Sequence, residues 1–166
     1  TRAVPPTDFN LENGFILTTI HRAENTDQLE RLESILAALN EVANTTPVVL
    51  PIHPRTRNII TKLNLDTSSL TLIEPVGYLE MLWLLKSCGL VVTDSGGVQK
   101  EAFFMGKACV TMRDQTEWIE LIEAGANELV GADTLKILDA VKRNLNREVK
   151  DENQLYTGPS ELVASS

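Results

Sequence analysis

The stretch VVTDSGGVQKEA, residues 91–102, decides the fold of this chain. Three β-branched residues lead into an acid, a serine and two glycines, after which the pattern is helical. β-Branched residues favour strands, and glycine lets the backbone turn tightly with no Cβ in the way. The stretch therefore predicts a strand, a tight turn and a helix in direct succession, which is the repeating unit of a parallel α/β sheet.

The same alternation extends in both directions along the chain. Apolar and β-branched runs predict strands at residues 14–20, 46–53, 70–75, 89–94, 107–112 and 127–131. Helical patterns fill the intervals at residues 26–43, 54–63, 77–88, 96–105, 116–125 and 133–145. Asn25 or Thr26 is the expected N-cap of the first helix, and Gly125 is the expected C-cap of the fifth.

Strands this apolar are covered by helices on both faces, so the predicted fold is α/β, a doubly wound, mostly parallel, Rossmann-like sheet. With 166 residues, 43% of them hydrophobic, the chain is long enough for one autonomous domain over residues 1–166. Its polar end, residues 150–166, is expected to be a loosely held tail.

Composition excludes several classes of partner. The net charge of -8, without a lysine- or arginine-rich block, argues against nucleic acid and against an anionic membrane surface. No apolar run reaches the ~20 residues of a membrane span and no signal peptide is recognisable, so we expect a cytoplasmic protein. Cys88 and Cys109 are isolated in apolar surroundings and are expected to be buried, reduced thiols. The sequence contains no CxxC, HExxH or Walker pattern.

Candidate ligand contacts lie where predicted strands end, which is where open α/β sheets bind ligands. The only two histidines, His21 and His53, each follow a predicted strand, and Ser95 follows another. These three positions are therefore the first places to look for chemistry.

The SGG turn could hold a phosphate group. Gly96 and Gly97 would leave backbone N–H groups accessible at a helix N-terminus, where the helix dipole favours an anion, and Ser95 could add a hydroxyl donor. Glu101 follows about one helical turn after Gly97 and could accept hydrogen bonds from a ribose diol. The alternative is an ordinary glycine turn beside a solvated glutamate.

Two further junctions carry basic side chains. After the first strand, His21 and Arg22 could neutralise a diphosphate leaving group, with Glu24 and Asn25 beside them. The alternative there is a capping cluster in which Asn25 bonds to the first helical turn. PIHPRTR, residues 51–57, places basic side chains in the same way after the second strand. The alternative is that His53 has a purely structural role.

Two loops add weaker candidates. The polar side chains of TMRDQTEWIE, residues 111–120, include Arg113, Asp114, Thr116 and Glu117. Trp118 in this loop could be a stacking platform or could fill the edge of the core. Tyr78 in EPVGYLE, residues 74–80, could flank a base, or the loop could simply start a helix after Gly77.

Together these junctions resemble one family, the UDP-N-acetylglucosamine 2-epimerases. Residues 18–131 contain, in the family's order, TIHRAEN, PIHP, EPVGYLEMLWL, TDSGGVQKEA and RDQTEWIELIEAGANELVG. Each motif alone is unspecific, but the five in order are specific. The resemblance implies a GT-B architecture, in which two Rossmann-like lobes hold a nucleotide sugar between them. This chain resembles the C-terminal, UDP-binding half of such a fold, with the N-terminal lobe absent.

The resemblance also implies roles for single residues. It assigns the diphosphate to Ser95, Gly96 and Gly97 and the ribose to Glu101. We also expect Arg113 and Tyr78 to contact UDP. His21 matches the family's active-site histidine near the phosphates. Arg22 and His53 match positions that, in some bacterial members, contact a second, activating UDP-sugar.

The implied reaction is reversible inversion at C2 of a UDP-2-acetamido sugar. UDP leaves anti to the C2 proton, giving a 2-acetamidoglucal, and is added back after reprotonation from the opposite face. No nicotinamide, metal or other cofactor is required. The carboxylates that handle the proton belong to the N-terminal lobe, and Glu24 and Glu117 are the only local candidates. We therefore expect this chain alone to bind UDP or UDP-sugar weakly without turnover. The resemblance also implies that the complete protein is a homodimer.

One departure bears on the substrate. Many family members have an arginine where this chain has Trp118, and the combination of HRAEN with TEW resembles the branch that acts on UDP-2,3-diacetamido-2,3-dideoxyglucuronate. Two other classes stay open at this point, a GT-B glycosyltransferase lobe and a non-enzymatic UDP-binding module.

Overall fold

Alternate residues of a strand face opposite sides of its sheet, and apolar residues occupy both alternations here. A computed structural model describes residues 14–149, whose strands form one six-stranded parallel sheet. The strands are β1 (Ile16–Thr19), β2 (Val48–Pro51), β3 (Thr71–Ile73), β4 (Leu90–Thr93), β5 (Cys109–Thr111) and β6 (Asn127–Leu129). All six lie within the strands expected from the sequence. The expected tail at residues 150–166 lies outside the described residues.

The helices alternate with the strands. They are α1 (Ala23–Thr26), α2 (Leu29–Val42), α3 (Pro54–Lys62), α4 (Tyr78–Ser87), α5 (Gly96–Phe104), α6 (Ile119–Glu123) and α7 (Thr134–Asn144). The expectation of one helix over residues 26–43 was wrong at its start, because a separate turn, α1, precedes α2. Gly125 does end α6: its φ is +75°, and Ala126 N–H donates to Leu121 O at 3.0 Å.

The strand order is β3-β2-β1-β4-β5-β6. The chain thus adds strands to one side of β1 and then returns to add β4, β5 and β6 on the other side. The point of reversal lies between β1 and β4, whose residues pair from Ile16 with Leu90 to Thr19 with Thr93. In folds of this order the crevice beyond that point is the ligand site.

Two apolar layers enclose the sheet. On one face Ile16, Leu90 and Val110 pack with buried residues of α2, α3 and α7. On the other face Leu17 and Val91 pack with buried residues of α4 and α5. Cys88 and Cys109 are both buried and unpaired on this second face, as expected. No helix within residues 14–149 is both long enough and apolar enough to cross a membrane.

Candidate functional site

The strand order brings four of the expected junctions into one row along the carboxyl edge of the sheet. The row runs from His53 after β2, through His21 after β1 and Ser95 after β4, to Arg113 after β5. Neighbouring strands lie ~4.8 Å apart, so the ends of β2 and β5 are ~14 Å from each other. Tyr78 follows β3, one strand further out. The centre of the row coincides with the point of reversal between β1 and β4.

The loop after β4 ends in an accessible helix N-terminus. Ser95 is the N-cap of α5, and its Oγ accepts the N–H of Val98 at 3.3 Å. The N–H of Ser95 donates to Thr93 Oγ1 at 2.9 Å. Within residues 14–149, the N–H groups of Gly96 and Gly97 have no acceptor. The start of α5 therefore retains these two donors and the hydroxyl proton of Ser95 for an anion.

The two glycines of this loop have different surroundings. A Cβ on Gly96 would lie 1.9 Å from Glu117 Oε1 and 3.4 Å from Trp118 Nε1, so side chains of the loop after β5 occupy that space. A Cβ on Gly97 would meet only Ser95 Oγ, at 4.0 Å. The protein's own side chains therefore occupy the space above Gly96, whereas Gly97 is the glycine over which a ligand can approach the backbone.

A buried carboxylate joins the loop after β4 to the loop after β1. Asp94 is 0% exposed, and its Oδ1 accepts the N–H of His21 at 3.1 Å. Its Oδ2 accepts the N–H of Arg22 at 3.0 Å and the side-chain amide of Asn25 at 3.0 Å. The N–H groups of His21 and Arg22 are thus already used. This loop can offer an anion only its side chains.

Asn25 belongs to the same junction and does not cap a helix. It lies inside α1, fully buried, and its Nδ2 donates to Met112 O at 2.9 Å as well as to Asp94. Its Oδ1 accepts from Arg31 Nε at 3.1 Å. The expected N-cap role of Asn25 or Thr26 was wrong, because α1 begins after Arg22 and α2 after Gln28. Asn25 instead ties the ends of β1, β4 and β5 together.

The two basic side chains after β1 lie at the centre of the row. His21 is exposed, and its imidazole has no partner among residues 14–149. Arg22 is half-buried, and its Nε donates to the backbone oxygen of Asp94 at 3.3 Å. This hydrogen bond holds the guanidinium of Arg22 beside the loop that contains Ser95.

Arg113 is held by two carboxylates. Its Nε contacts Glu24 Oε1 at 3.2 Å and its Nη1 contacts Glu117 Oε2 at 3.0 Å, while the side chain is only 11% exposed. Burial acts to lower the pKa of Arg113, but the hydrogen bonds to Glu117 and Glu24 outweigh it and raise the pKa. Burial likewise acts to raise the pKa of Glu117, and its backbone hydrogen bond and Arg113 outweigh it and lower the pKa. The cluster of one cation and two anions has a net negative charge.

Trp118 fills the edge of the core. Its indole N–H donates to Gly96 O at 2.8 Å, and the ring packs against the small cluster of Phe103, Leu121 and Ala126. Lys100 Nζ lies 4.9 Å from the centre of the ring. The stacking-platform interpretation is therefore disfavoured, since the ring is engaged by the protein itself.

Two of the remaining candidates, His53 and Tyr78, lie at helix starts, and the third, Glu101, lies within α5. His53 is the N-cap of α3, and its Nδ1 accepts the N–H of Arg55 at 3.1 Å, which supports the structural alternative for this histidine. Tyr78 is the first residue of α4 and is 69% exposed. Glu101 lies on α5 one turn after Gly97, is half-buried, and has no side-chain partner within the described range.

A depression of about 700 Å³ lies beside this row, between the starts of α2 and α7. It meets the row at Arg113, and Arg31, Asp114 and Lys136 also line it. Neither Ser95 nor Gly97 contributes to it. A ligand on the start of α5 would therefore lie outside this depression.

A family model described as UDP-N-acetylglucosamine 2-epimerase matches residues 3–161. The chain belongs to this family. A UDP-2,3-diacetamido-2,3-dideoxy-D-glucuronate 2-epimerase of Pseudomonas aeruginosa is 58% identical over 158 residues, which are 95% of this chain and 44% of that protein. A UDP-N-acetylglucosamine 2-epimerase of Methanocaldococcus jannaschii is 40% identical over 157 residues, or 90% of this chain and 43% of that protein.

Solved structures of epimerases share the fold. The M. jannaschii UDP-GlcNAc 2-epimerase in complex with UDP-GlcNAc and UDP superposes with a TM-score of 0.82 at 40% identity, covering 92% of this chain and 44% of that chain. A heptosyltransferase of Escherichia coli with ADP, at 11% identity and a TM-score of 0.55 over 78% of this chain and 44% of that one, shares the fold alone. This chain thus corresponds to the C-terminal, Rossmann-like half of the GT-B fold of its relatives, and the expected family and fold are confirmed.

Sequence analysis missed Asp94, which the structure places at the centre of the row. The sequence offered one signal, the acid that stands between the fourth strand and the SGG turn. Arg31 was missed as well, although its Nη1 reaches Asp114 Oδ2 at 3.4 Å and its Nε reaches Asn25. Arg31 carries no local pattern that distinguishes it from a solvated charge.

Proposed function

We propose that this chain is the UDP-binding lobe of an enzyme that inverts C2 of a UDP-2-acetamido sugar by eliminating UDP and adding it back. The observation that carries the proposal is the pair of unused N–H groups at Gly96 and Gly97, beside the side chains of His21 and Arg22. An anion of the size of a diphosphate suits such a group of donors at a helix start. Membership in the epimerase family and the UDP in the M. jannaschii structure support it.

Elimination of UDP requires hydrogen-bond donors beside the diphosphate. Cleavage of the bond between C1 and the phosphate oxygen transfers negative charge to UDP, and donors fixed in advance stabilise that charge in the transition state. The N–H groups of Gly96 and Gly97 are fixed by α5, and Arg22 adds a guanidinium that can pair with phosphate. His21 would act near the phosphates as the active-site histidine. This chain would therefore supply the leaving-group half of the catalyst.

The rest of the nucleotide would extend from the diphosphate along the carboxyl edge. We assign the ribose to Glu101, whose carboxylate lies one turn behind Gly97 on α5. We assign Tyr78 to the base because its exposed ring offers a flat apolar surface. Arg113 would contribute to the phosphates after exchanging part of its pairing with Glu24 and Glu117. Arg22 and His53 are the residues that a second UDP-sugar would contact.

Handling of the C2 proton requires groups from elsewhere in the complete protein. The local carboxylates, Glu24 and Glu117, are both engaged by Arg113, and the lowered pKa of Glu117 makes it a weak base. The chain spans 44% of the length of the P. aeruginosa relative. We propose that a preceding Rossmann-like lobe supplies the acid and base, and that this chain alone does not turn over.

The substrate is more specifically a diacetamido uronate. The relative at 58% identity is named for UDP-2,3-diacetamido-2,3-dideoxy-D-glucuronate, whereas the relatives at 40% identity or below that we compare are named for UDP-N-acetylglucosamine. Trp118, bonded to Gly96 O, stands where many UDP-N-acetylglucosamine enzymes have arginine. This proposal concerns the complete enzyme.

Calorimetric titration tests the binding site directly. UDP should bind the chain, and uridine, which lacks both phosphates, should bind at least ~tenfold more weakly because charge-assisted hydrogen bonds are lost. ADP, which has the same diphosphate but a different base, is the control for recognition of the base. Equal affinity for UDP and uridine, or no binding of UDP, would contradict the proposal. The complete gene product should then epimerise the diacetamido uronate faster than UDP-N-acetylglucosamine, and the opposite preference would overturn the assignment of the substrate.

A further inference from the structure

Asp94 is the only acidic or basic residue among the buried residues of the described range. A carboxylate removed from water costs several kcal/mol unless hydrogen bonds or a cation compensate it. No ion pair involves Asp94 within residues 14–149. Its compensation comes from N–H donors alone, and each of these belongs to the segment between β1 and α2.

Direct chemistry by Asp94 is excluded by its contacts. Oδ1 accepts the N–H of His21, while Oδ2 accepts the N–H of Arg22 and the amide of Asn25 and lies 3.2 Å from the N–H of His21. Both oxygens are therefore occupied, and the residue has no exposed surface. Asp94 can therefore neither take a proton from a substrate nor contact a substrate.

Its contacts fix the register between three loops. Asp94 directly precedes Ser95, the N-cap of the helix that offers Gly96 and Gly97. Asn25, held by Asp94, also donates to Met112 O at 2.9 Å, directly before Arg113. One carboxylate and one amide therefore connect the junctions after β1, β4 and β5.

We infer that Asp94 is a positioning residue that holds the backbone of His21 and Arg22 in register with the start of α5, so that the two loops act on one diphosphate. This inference rests on the proposed function. Without the carboxylate, the loop after β1 would lose its acceptors while the donors at Gly96 and Gly97 would remain. Binding at α5 would continue, but the contribution of Arg22 would be lost.

Asp94→Asn isolates this role, because it keeps the size of the side chain and replaces one acceptor by an NH₂ group that faces N–H donors. We expect UDP affinity to fall about tenfold, as for loss of a hydrogen bond to a charged group. Leu39→Ala is the control for lost stability: Leu39 is fully buried in the second half of α2. Because crossover helices run antiparallel to the strands, this position is near the opposite edge of the sheet. Its UDP affinity should equal that of the unmodified chain.

A double-mutant cycle separates positioning from general weakening. If Asp94 acts through the loop, Arg22→Ala should weaken UDP binding in the unmodified chain and should have less than ~twofold effect in the Asp94→Asn background. Equal effects of Arg22→Ala in the two backgrounds would overturn the inference. So would unchanged affinity in Asp94→Asn.

A second measurement needs no ligand. Amide hydrogen exchange in the ligand-free chain should accelerate at His21 and Arg22 in Asp94→Asn by at least ~tenfold, while amides of α7 should exchange at an unchanged rate. Unchanged exchange at His21 and Arg22 would overturn the inference. Failure of the unmodified chain to bind UDP would instead contradict the proposed function, and the exchange rates would still decide whether Asp94 holds the loop.

Discussion

Glu117 lies against the α carbon of Gly96, so closely that a Cβ at that glycine would come within 1.9 Å of Glu117 Oε1. The carboxylate is thus held against the first residue of α5. Its other oxygen is held by Arg113. The protein therefore carries a carboxylate of its own beside the helix start to which we assign the diphosphate.

The two adjacent glycines should respond differently to alanine. Gly96→Ala should lower stability by less than about 1 kcal/mol, because the new methyl group displaces only the carboxylate end of Glu117, a flexible and partly exposed side chain. Gly97→Ala should leave stability unchanged or raise it by up to about 1 kcal/mol, since its Cβ enters open space and alanine favours the helix. The same methyl group should weaken UDP binding at least ~fivefold by blocking close approach of phosphate.

Thermal unfolding and calorimetry measure the two effects. Asn58→Ala, an exposed position of α3, is the control for added helix propensity and should leave UDP affinity unchanged. Undiminished affinity in Gly97→Ala would show that phosphate does not approach this backbone.

Removing the charge of Glu117 should tighten UDP binding. Glu117→Gln eliminates repulsion between the carboxylate and the diphosphate and leaves Arg113 with only Glu24 as a charged partner. Charges at partly exposed positions interact by about 1 kcal/mol, which corresponds to a gain of about fivefold. The gain should shrink as salt is added, since salt screens the repulsion. Weaker binding of UDP by the variant would mean that Glu117 contacts the nucleotide directly.

Glu101 should control recognition of the ribose hydroxyls. The unmodified chain should bind UDP about tenfold more tightly than 2′-deoxyUDP, because the carboxylate accepts a hydrogen bond from the 2′ hydroxyl. Glu101→Ala should bind both nucleotides with similar, lower affinity. Glu33→Ala, which removes an exposed carboxylate from α2, should preserve the preference. A preference that survives in Glu101→Ala would remove this residue from the ribose site.

The order of strands and helices could be predicted because each element carries its own local pattern. Alternating apolar runs and helical spacing need no knowledge of the rest of the chain. Asn25 could not be placed this way. Its amide donates to partners 69 and 87 residues away, and those contacts outweigh the local preference of asparagine for an N-cap.

The location of the site could be predicted as well as the order of the elements, but its detailed contacts could not. Junctions that follow strands could be located, since parallel strands bring their carboxyl ends to one edge. The sequence could not show that Gly96 and Gly97 have different surroundings, because the loop after β5 determines what occupies the space above each glycine. The same holds for Trp118, whose ring is engaged by Lys100 and Phe103.

The two thiols should be unreactive in the folded chain. Burial raises the pKa of Cys88 to about 11 and that of Cys109 to about 12, so neither forms thiolate near neutral pH. A disulfide reagent at pH 8 should modify no thiol in the native chain and both after unfolding in guanidinium. Fast modification of either residue without denaturant would indicate that its part of the second apolar layer opens readily.

The Arg113 cluster should make stability dependent on acid pH. Because the pKa of Glu117 is lowered by folding, its contribution is present above its ordinary value of 4.5 and is lost as pH falls through the lower, folded value. Chemical denaturation between pH 7 and pH 3 should therefore show a decline in the free energy of unfolding below pH 4.5, and Glu117→Gln should decline less steeply. Glu33→Gln, on the exposed face of α2, should follow the unmodified chain. Parallel curves for Glu117→Gln and the unmodified chain would show that the ion pair with Arg113 adds no net stability in the folded state.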